Sequence, residues 1–175
     1  DQFETLSHTD PLTGLANRRH FVQAMRKGTD AAADGGRTMA LLVLDIDHFK
    51  VINDAHGHAV GDQCLAGFAT QLQQAFSGDE ELCARLGGEE FAVLVPHHDE
   101  SSAALRADTF RAELSAATLV RDVPSLRLRV SIGVGAFSLR EHGHADHFFR
   151  EVDRALYRAK GRGRDRVCKV SEGAY

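Results

Sequence analysis

Two groups of carboxylates stand where a sheet would meet solvent. Asp45-Ile46-Asp47 directly follows an apolar run, and Glu89-Glu90 sits at what reads as the tip of a hairpin. Brought together, they would form an acidic pocket for a hard cation. Magnesium takes one or two protein carboxylates and completes its shell with water and phosphate oxygens. Acidic residues are also common in turns, and spacing alone leaves both readings open. Lys50, Asn53, Asp54, Gly57, His58, Gly61 and Asp62 follow within a short span. Asn and Asp side chains can bind the edge of a base, the carboxylate accepting from N–H groups that guanine has and adenine lacks there. Lys50 could neutralise phosphate. The alternative is a polar loop ahead of a helix that starts near His58, with Asp62 in its first turn.

Several elements must position these groups. Asp10-Pro11 reads as a helix-start signal, and a helical stretch follows from about Asn17 to Ala33, ended by Asp34-Gly35-Gly36. Met39 to Leu44 is a continuous apolar run, as in a strand buried on both faces, so the Asp45 cluster lies at its exit. His58 to Phe76 has helical spacing, with Cys64, Leu65, Phe68, Ala69, Leu72 and Phe76 on one face. Leu82–Leu86 and Phe91–Val95 flank Gly87-Gly88-Glu89-Glu90, a strong hairpin signal because glycine accepts the positive φ of tight turns. A helix is expected over Asp99–Ala117 and a long half-buried strand through Leu126, Leu128, Val130, Ile132 and Val134. His147–Lys160 returns to helical spacing, and Arg166–Val170 reads as an edge strand. The order predicts one α/β domain whose single sheet is mixed and flanked by helices.

Composition narrows the function classes. A chain of 175 residues suits one domain with a sizeable core, and its 43% hydrophobic and 26% charged residues are ordinary for a soluble fold. The net charge of −4 offers no global attraction to nucleic acid or anionic membrane. Arg154, Arg158, Lys160, Arg162, Arg164 and Arg166 form a local basic run, but no aromatic residues interleave with it for base stacking, so nucleic acid is not an expected partner. No apolar run approaches the roughly 20 residues that cross a bilayer, so no membrane contact is expected from this segment. Cys64, Cys83 and Cys168 are odd in number and far apart, which suits a reducing compartment and gives no disulfide frame. His142, His144 and His147 lack companion ligands and read as a solvated loop and helix start rather than a zinc site.

The motifs resemble those of the GGDEF family. Asp10-Pro11-Leu12-Thr13-Gly14-Leu15-Ala16-Asn17-Arg18-Arg19 is similar to its opening signature. Asp45-Ile46-Asp47-His48-Phe49-Lys50, then Asn53-Asp54, Gly57-His58 and Gly61-Asp62, resemble its metal and guanine segment. Arg85-Leu86-Gly87-Gly88-Glu89-Glu90-Phe91 is similar to the name-giving hairpin in its GGEEF form. Ser131-Ile132-Gly133-Val134 and Ala155-Leu156-Tyr157-Arg158-Ala159-Lys160 match two further blocks, all in order from Asp10 to about Val167. The resemblance implies a fold like the nucleotidyl cyclases and the polymerase palm, with residues 10–170 as the domain. Residues 1–9 would be the end of an upstream linker or signalling helix, and residues 171–175 a tail.

It also implies a diguanylate cyclase, which condenses two GTP into cyclic di-GMP and two pyrophosphates where two copies of the domain face each other. Asp45, Glu89 and the backbone carbonyl of Ile46 would hold magnesium, two ions per site, with manganese an acceptable substitute. Asn53 and Asp62 would read guanine, with His58 beside them. Lys50 would steady the phosphates, Lys160 and Arg164 would hold the terminal ones, and Gly87 and Gly88 would let the nucleotide approach the backbone. Glu89 and Glu90 join Lys50 as catalytic candidates. Such a domain is expected in the cytoplasm as the output of a signalling protein, any membrane anchor lying upstream. The alternative is a catalytically silent GTP-binding domain that regulates a partner.

Three positions in two segments depart from the family pattern. Its inhibitory product site, Arg-x-x-Asp ahead of the glycine pair, is here Gly78-Asp79-Glu80-Glu81, so that feedback should be absent or weak. Asp165 stands where the family has asparagine, and is expected to pair with Arg164 or Arg166 and modestly weaken phosphate binding.

Overall fold

The computed structural model describes residues 8–173. Most of the segment read as an upstream linker and the last two residues of the tail lie outside that range.

The sheet is built around β1 (Met39–Ile46), every residue of which is buried. The alternation of side chains explains its unbroken apolar run. Ala40, Leu42, Leu44 and Ile46 enter the core on one face, and Met39, Leu41 and Val43 enter the core on the other. Strand order is β2-β3-β1-β4-β5, with β2 (Leu82–Gly87), β3 (Glu90–Pro96), β4 (Val130–Ala136) and β5 (Arg166–Lys169). β1 is antiparallel to both neighbours, and β5 runs parallel to β4, which makes the sheet mixed.

Two layers of helices cover it. α1 is Arg18–Gly35, α2 Phe49–His56, α3 His58–Ala75, α4 Glu100–Ala116, α5 Leu139–His142 and α6 Ala145–Gly161. α3 and α4 pack on the face of Leu42 and Leu44 through Phe68, Leu72, Phe110 and Leu114. α1 and α6 pack on the opposite face through Phe21, Met25, Phe148, Val152 and Leu156. Among the described residues no helix is long and apolar enough to cross a membrane.

Four expectations needed correction. Asp10-Pro11 opens a turn, not a helix: the Asp10 carboxylate accepts from the backbone and hydroxyl of Thr13, and Gly14 at φ 74° turns the chain. The turn lets Ala16 bridge to Ala84 on the β2 edge, and α1 starts only at Arg18, capped by Asn17. The strand expected from Leu126 starts at Val130, because its partner β1 leaves the sheet after Ile46, opposite Val130; pairing extends instead to Ala136. The polar segment after Asp47 contains a helix, α2, that periodicity did not reveal because Phe49 is its only buried residue. The histidines of residues 142–147 are not all solvated. His142 is buried between Phe137 and Phe148, and its Nδ1 accepts from Ser138 N.

Candidate active site

Strand parity decides which side of the sheet the chemistry faces. Asp45 follows Leu41 and Val43 on the α6 face, where Lys160 from the last turn of α6 donates to its Oδ2. Across the β1–β3 ladder Asp45 lies opposite Glu90, so both carboxylates face α6. The hairpin that delivers Glu89 and Glu90 turns through Gly87 and Gly88 at φ 146° and 53°, conformations that side chains resist. Arg85 Nε donates to Gly88 O at 2.9 Å and braces the turn. Ile46 N donates to Glu89 O at 3.2 Å, which joins the hairpin tip to the end of β1. The two carboxylate clusters therefore meet.

Electrostatics at this corner is unfavourable to the protein. Burial pushes the Asp45 carboxyl above its ordinary value; Lys160 opposes this, while Glu89 and Asp47 add to it. Burial also pushes Glu90 up, reinforced by Asp153 on α6 and by Asp45, with Arg18 and Lys160 opposing. An excess of carboxylates, opposed by Lys160 and at Glu90 by Arg18 as well, is a donor set that a divalent cation would fit, and the Lys160 ammonium stands on Asp45 where such a charge would be felt. Among the described residues no three His, Cys, Asp or Glu side chains gather as a closed metal cage.

Asp47, grouped with Asp45 by sequence, has a different task. Its Oδ1 accepts from Ser131 Oγ at 2.6 Å and its Oδ2 from the backbone N–H of Asp165 at 2.9 Å. It thus ties β1 to β4 and to the turn after α6. Asp165 does not pair with Arg164 or Arg166 as expected. Its carboxylate accepts from Arg111 Nη1 on α4 and from Arg129 Nη1, both at 3.0 Å. Those arginines are remote in sequence, so neighbour-based reading had no access to them.

The remaining candidates sit on α2, α3 and the turn after α6. Lys50 is exposed in the first turn of α2, whose start no side chain caps. That leaves its first-turn amides available to an anion, a feature hidden in the sequence because the helix was. Asn53 Oδ1 on α2 is buried without a hydrogen-bond partner. It is tucked beside Gly61 of α3, where a Cβ would lie 1.8 Å from it, so the close approach requires glycine. A stranded acceptor of this kind costs about 1–3 kcal/mol. His58 and Asp62 are exposed on the first turns of α3, and Arg164 is exposed on the turn after α6. Asp153 and Arg18, which act on Glu90, were missed; helical spacing of Asp153 from Lys160 was the available signal.

Comparison with known proteins agrees with this geometry. DgcM of Escherichia coli strain K12, named a diguanylate cyclase, is 39% identical over 168 residues, covering 95% of this chain and 39% of that protein. DgcC of the same strain, named a probable diguanylate cyclase, is 35% identical over 166 residues, covering 95% of this chain and 44% of that protein. The chain thus spans less than half the length of these relatives. The GGDEF domain of DgcB from Caulobacter crescentus, solved in complex with c-di-GMP, superposes with a TM-score of 0.88 at 35% identity, covering 94% of this chain and 96% of that one. The active GGEEF domain of a Vibrio cholerae diguanylate cyclase gives 0.82 at 29% identity, over 89% and 97% of the two chains. The mixed five-stranded sheet is accordingly the palm-like nucleotidyl cyclase fold. Residues 7–166 match the family described as diguanylate cyclase, GGDEF domain, and the chain belongs to that family.

Proposed function

We propose that this domain is an active diguanylate cyclase, joining two GTP into cyclic di-GMP with release of two pyrophosphates. The observation that carries the reading is the meeting of Asp45, Glu89 and Glu90 at one corner of the sheet with Lys160 as their cation. Asp45, Glu89 and the Ile46 carbonyl would hold magnesium, two ions per site, or manganese in its place. Bound there, the ions would lower the pKa of the attacking 3′-hydroxyl and neutralise charge on the phosphoryl oxygens.

The chain's own residues do the positioning. Asn53, its side chain seated against Gly61, and Asp62 and His58 on the adjoining first turns of α3 would read the guanine edge. The first turn of α2, with Lys50, presents amides and a charge to phosphate. Lys160 donates to the Asp45 carboxylate. Magnesium on that carboxylate would supply the compensating charge, and Lys160 would then hold the terminal phosphates alongside Arg164. Gly87 and Gly88 carry no side chain that would fend off the nucleotide. Glu90 holds negative charge behind this corner.

One domain has one such set of base-reading groups, whereas the product contains two guanines related by two-fold symmetry. Two copies must therefore face each other, an isologous arrangement. GTP and a second copy of this domain are the proposed partners; no nucleic acid or membrane is required.

Pyrophosphate release from GTP and magnesium, measured over about a hundredfold dilution of enzyme, tests the proposal. Specific activity should rise with enzyme concentration. GTP binding without pyrophosphate release would leave a silent regulatory domain instead. A constant specific activity in a protein shown to be monomeric would overturn the two-copy mechanism.

A further inference from the structure

Arg164 and Asp165 both adopt positive φ, 65° and 48°, which non-glycine residues rarely do and still more rarely in succession. Something must hold this turn. Arg164 N donates to Ala159 O at 3.0 Å, closing the end of α6. Asp165 N donates to Asp47 Oδ2 at 2.9 Å, and Asp47 is itself fixed by Ser131 Oγ. The Asp165 carboxylate, half-buried, is gripped from two sides by Arg111 and Arg129. The strained turn is therefore tied at one side to β1 and at the other to α4 and the segment leading into β4.

The consequence falls on Arg164. Lys160 is bound to Asp45 and Asp165 to Asp47, so Arg164 stands between two tethers on carboxylates two residues apart at the exit of β1. Among the described residues no carboxylate pairs with Arg164, and its side chain is exposed. The neighbouring negative charge of Asp165 is already matched by two other arginines, so it does not compete for the Arg164 guanidinium.

We propose that Asp165 is a positioning residue: held by Arg111 and Arg129, it locks the turn that presents Arg164 to the terminal phosphates of the nucleotide. This rests on the reading of the site as a GTP site. It reverses the simpler expectation that a carboxylate in this place weakens phosphate binding. The clamp acts through Arg164, and only on ligands that carry terminal phosphates.

Binding of 3′-deoxy-GTP and 3′-deoxy-GMP with magnesium, which cannot cyclise for want of the attacking hydroxyl, separates the possibilities. Asp165→Ala should weaken the triphosphate about fivefold or more, and leave the monophosphate within about twofold, on the scale of a charged hydrogen-bond network losing alignment. Asp165→Asn, which tolerates the left-handed conformation, should fall between wild type and Asp165→Ala. In an Arg164→Ala background, Asp165→Ala should add little, because its effect passes through that guanidinium. Circular dichroism and melting curves establish that each variant is folded. Equal losses for both ligands, or a full Asp165→Ala effect without Arg164, would overturn the clamp. So would intact triphosphate binding in Asp165→Ala when Arg164→Ala weakens it. If Arg164→Ala itself leaves triphosphate binding unchanged, the terminal-phosphate reading falls, and the clamp with it.

Discussion

The β2–β3 hairpin carries carboxylates at both of its ends, and each end treats charge differently. Where β2 begins, Glu81 accepts from Arg106 Nη1 and Nη2 at 2.5 and 2.9 Å and from Gly78 N at 3.1 Å. Arg106 also donates to Ala75 O and lies 4.7 Å from the centre of the Phe76 ring. The hydrogen bonds of Arg106 hold Glu81 below the ordinary carboxylate value, against the opposing effect of burial. At the closed end, Asp45 and Glu90 are pushed up chiefly by burial, Asp45 further by Glu89 and Asp47 and Glu90 further by Asp153 and Asp45, with Lys160 as their near cation. One end resolves its charges within the protein. The other leaves them in excess, which suits a site whose compensating charge arrives with the substrate.

Removing a carboxylate from each end should therefore have opposite consequences. Asp45→Ala is expected to lower turnover of GTP by about a thousandfold or more, the scale of losing one preorganised charge where phosphoryl charge develops. Its melting temperature should stay close to wild type, since the deleted group is poorly compensated. Near wild-type turnover would break the contrast and the metal assignment together.

Glu81→Ala should do the reverse. It strips a half-buried guanidinium of a bidentate partner, and should cost about 2 kcal/mol in urea denaturation at neutral pH. Turnover per folded molecule should be unchanged. The loss should shrink on acidification: a carboxyl held below its ordinary 4.5 stabilises above that value, and the contribution disappears as pH falls through the folded-state pKa. Because Glu81 is engaged by Arg106, and Gly78 offers no cation, titration of the wild type with cyclic di-GMP should show at most weak inhibition. Tight non-competitive inhibition that Glu81→Ala abolishes would show that this end binds product after all.

The contrast also marks what could be read from sequence. The apolar run ending at Asp45 told that a strand buried on both faces delivers a carboxylate to its exit, and Gly87-Gly88 told of the hairpin bringing Glu89 and Glu90. Both are local patterns, and both stand. The parity argument that aims Asp45 at α6 needed only the strand. What stayed hidden was long-range pairing: Glu81 with Arg106 across 25 residues, Asp165 with Arg111 across 54, and Asp47 with Asp165 across 118. No periodicity encodes such partners. α2 escaped because its single buried residue, Phe49, gives no helical stripe, although it carries Lys50 and Asn53. The extent of β4 was misjudged because it depends on where β1 stops, not on the alternation of its own residues.

The smallest expected effect is also the most direct measure of how the closed end is poised. Glu90 is half-buried opposite Asp45 and beside Asp153, and its carboxyl is held above its ordinary 4.5, chiefly by burial. A carboxyl raised in the folded state favours its protonated form there, so its charge costs stability. That cost appears as pH climbs above the unfolded-state value, and is complete once pH exceeds the folded-state pKa. Glu90→Gln removes the charge and keeps the shape. At neutral pH it should raise the melting temperature by about 2–4 °C, the scale of 1 kcal/mol in a domain of this size. Below the ordinary value the gain should vanish, because wild-type Glu90 is then protonated in both states. Turnover should fall in the same variant, since the corner loses negative charge, the trade of stability for activity expected where a site is kept strained. Melting curves from neutral pH down to about pH 4, run on wild type and Glu90→Gln, decide the matter. A gain that grows on acidification, or a loss at neutral pH, would show that Glu90 is compensated within the protein as Glu81 is, and the difference between the two ends of the hairpin would disappear.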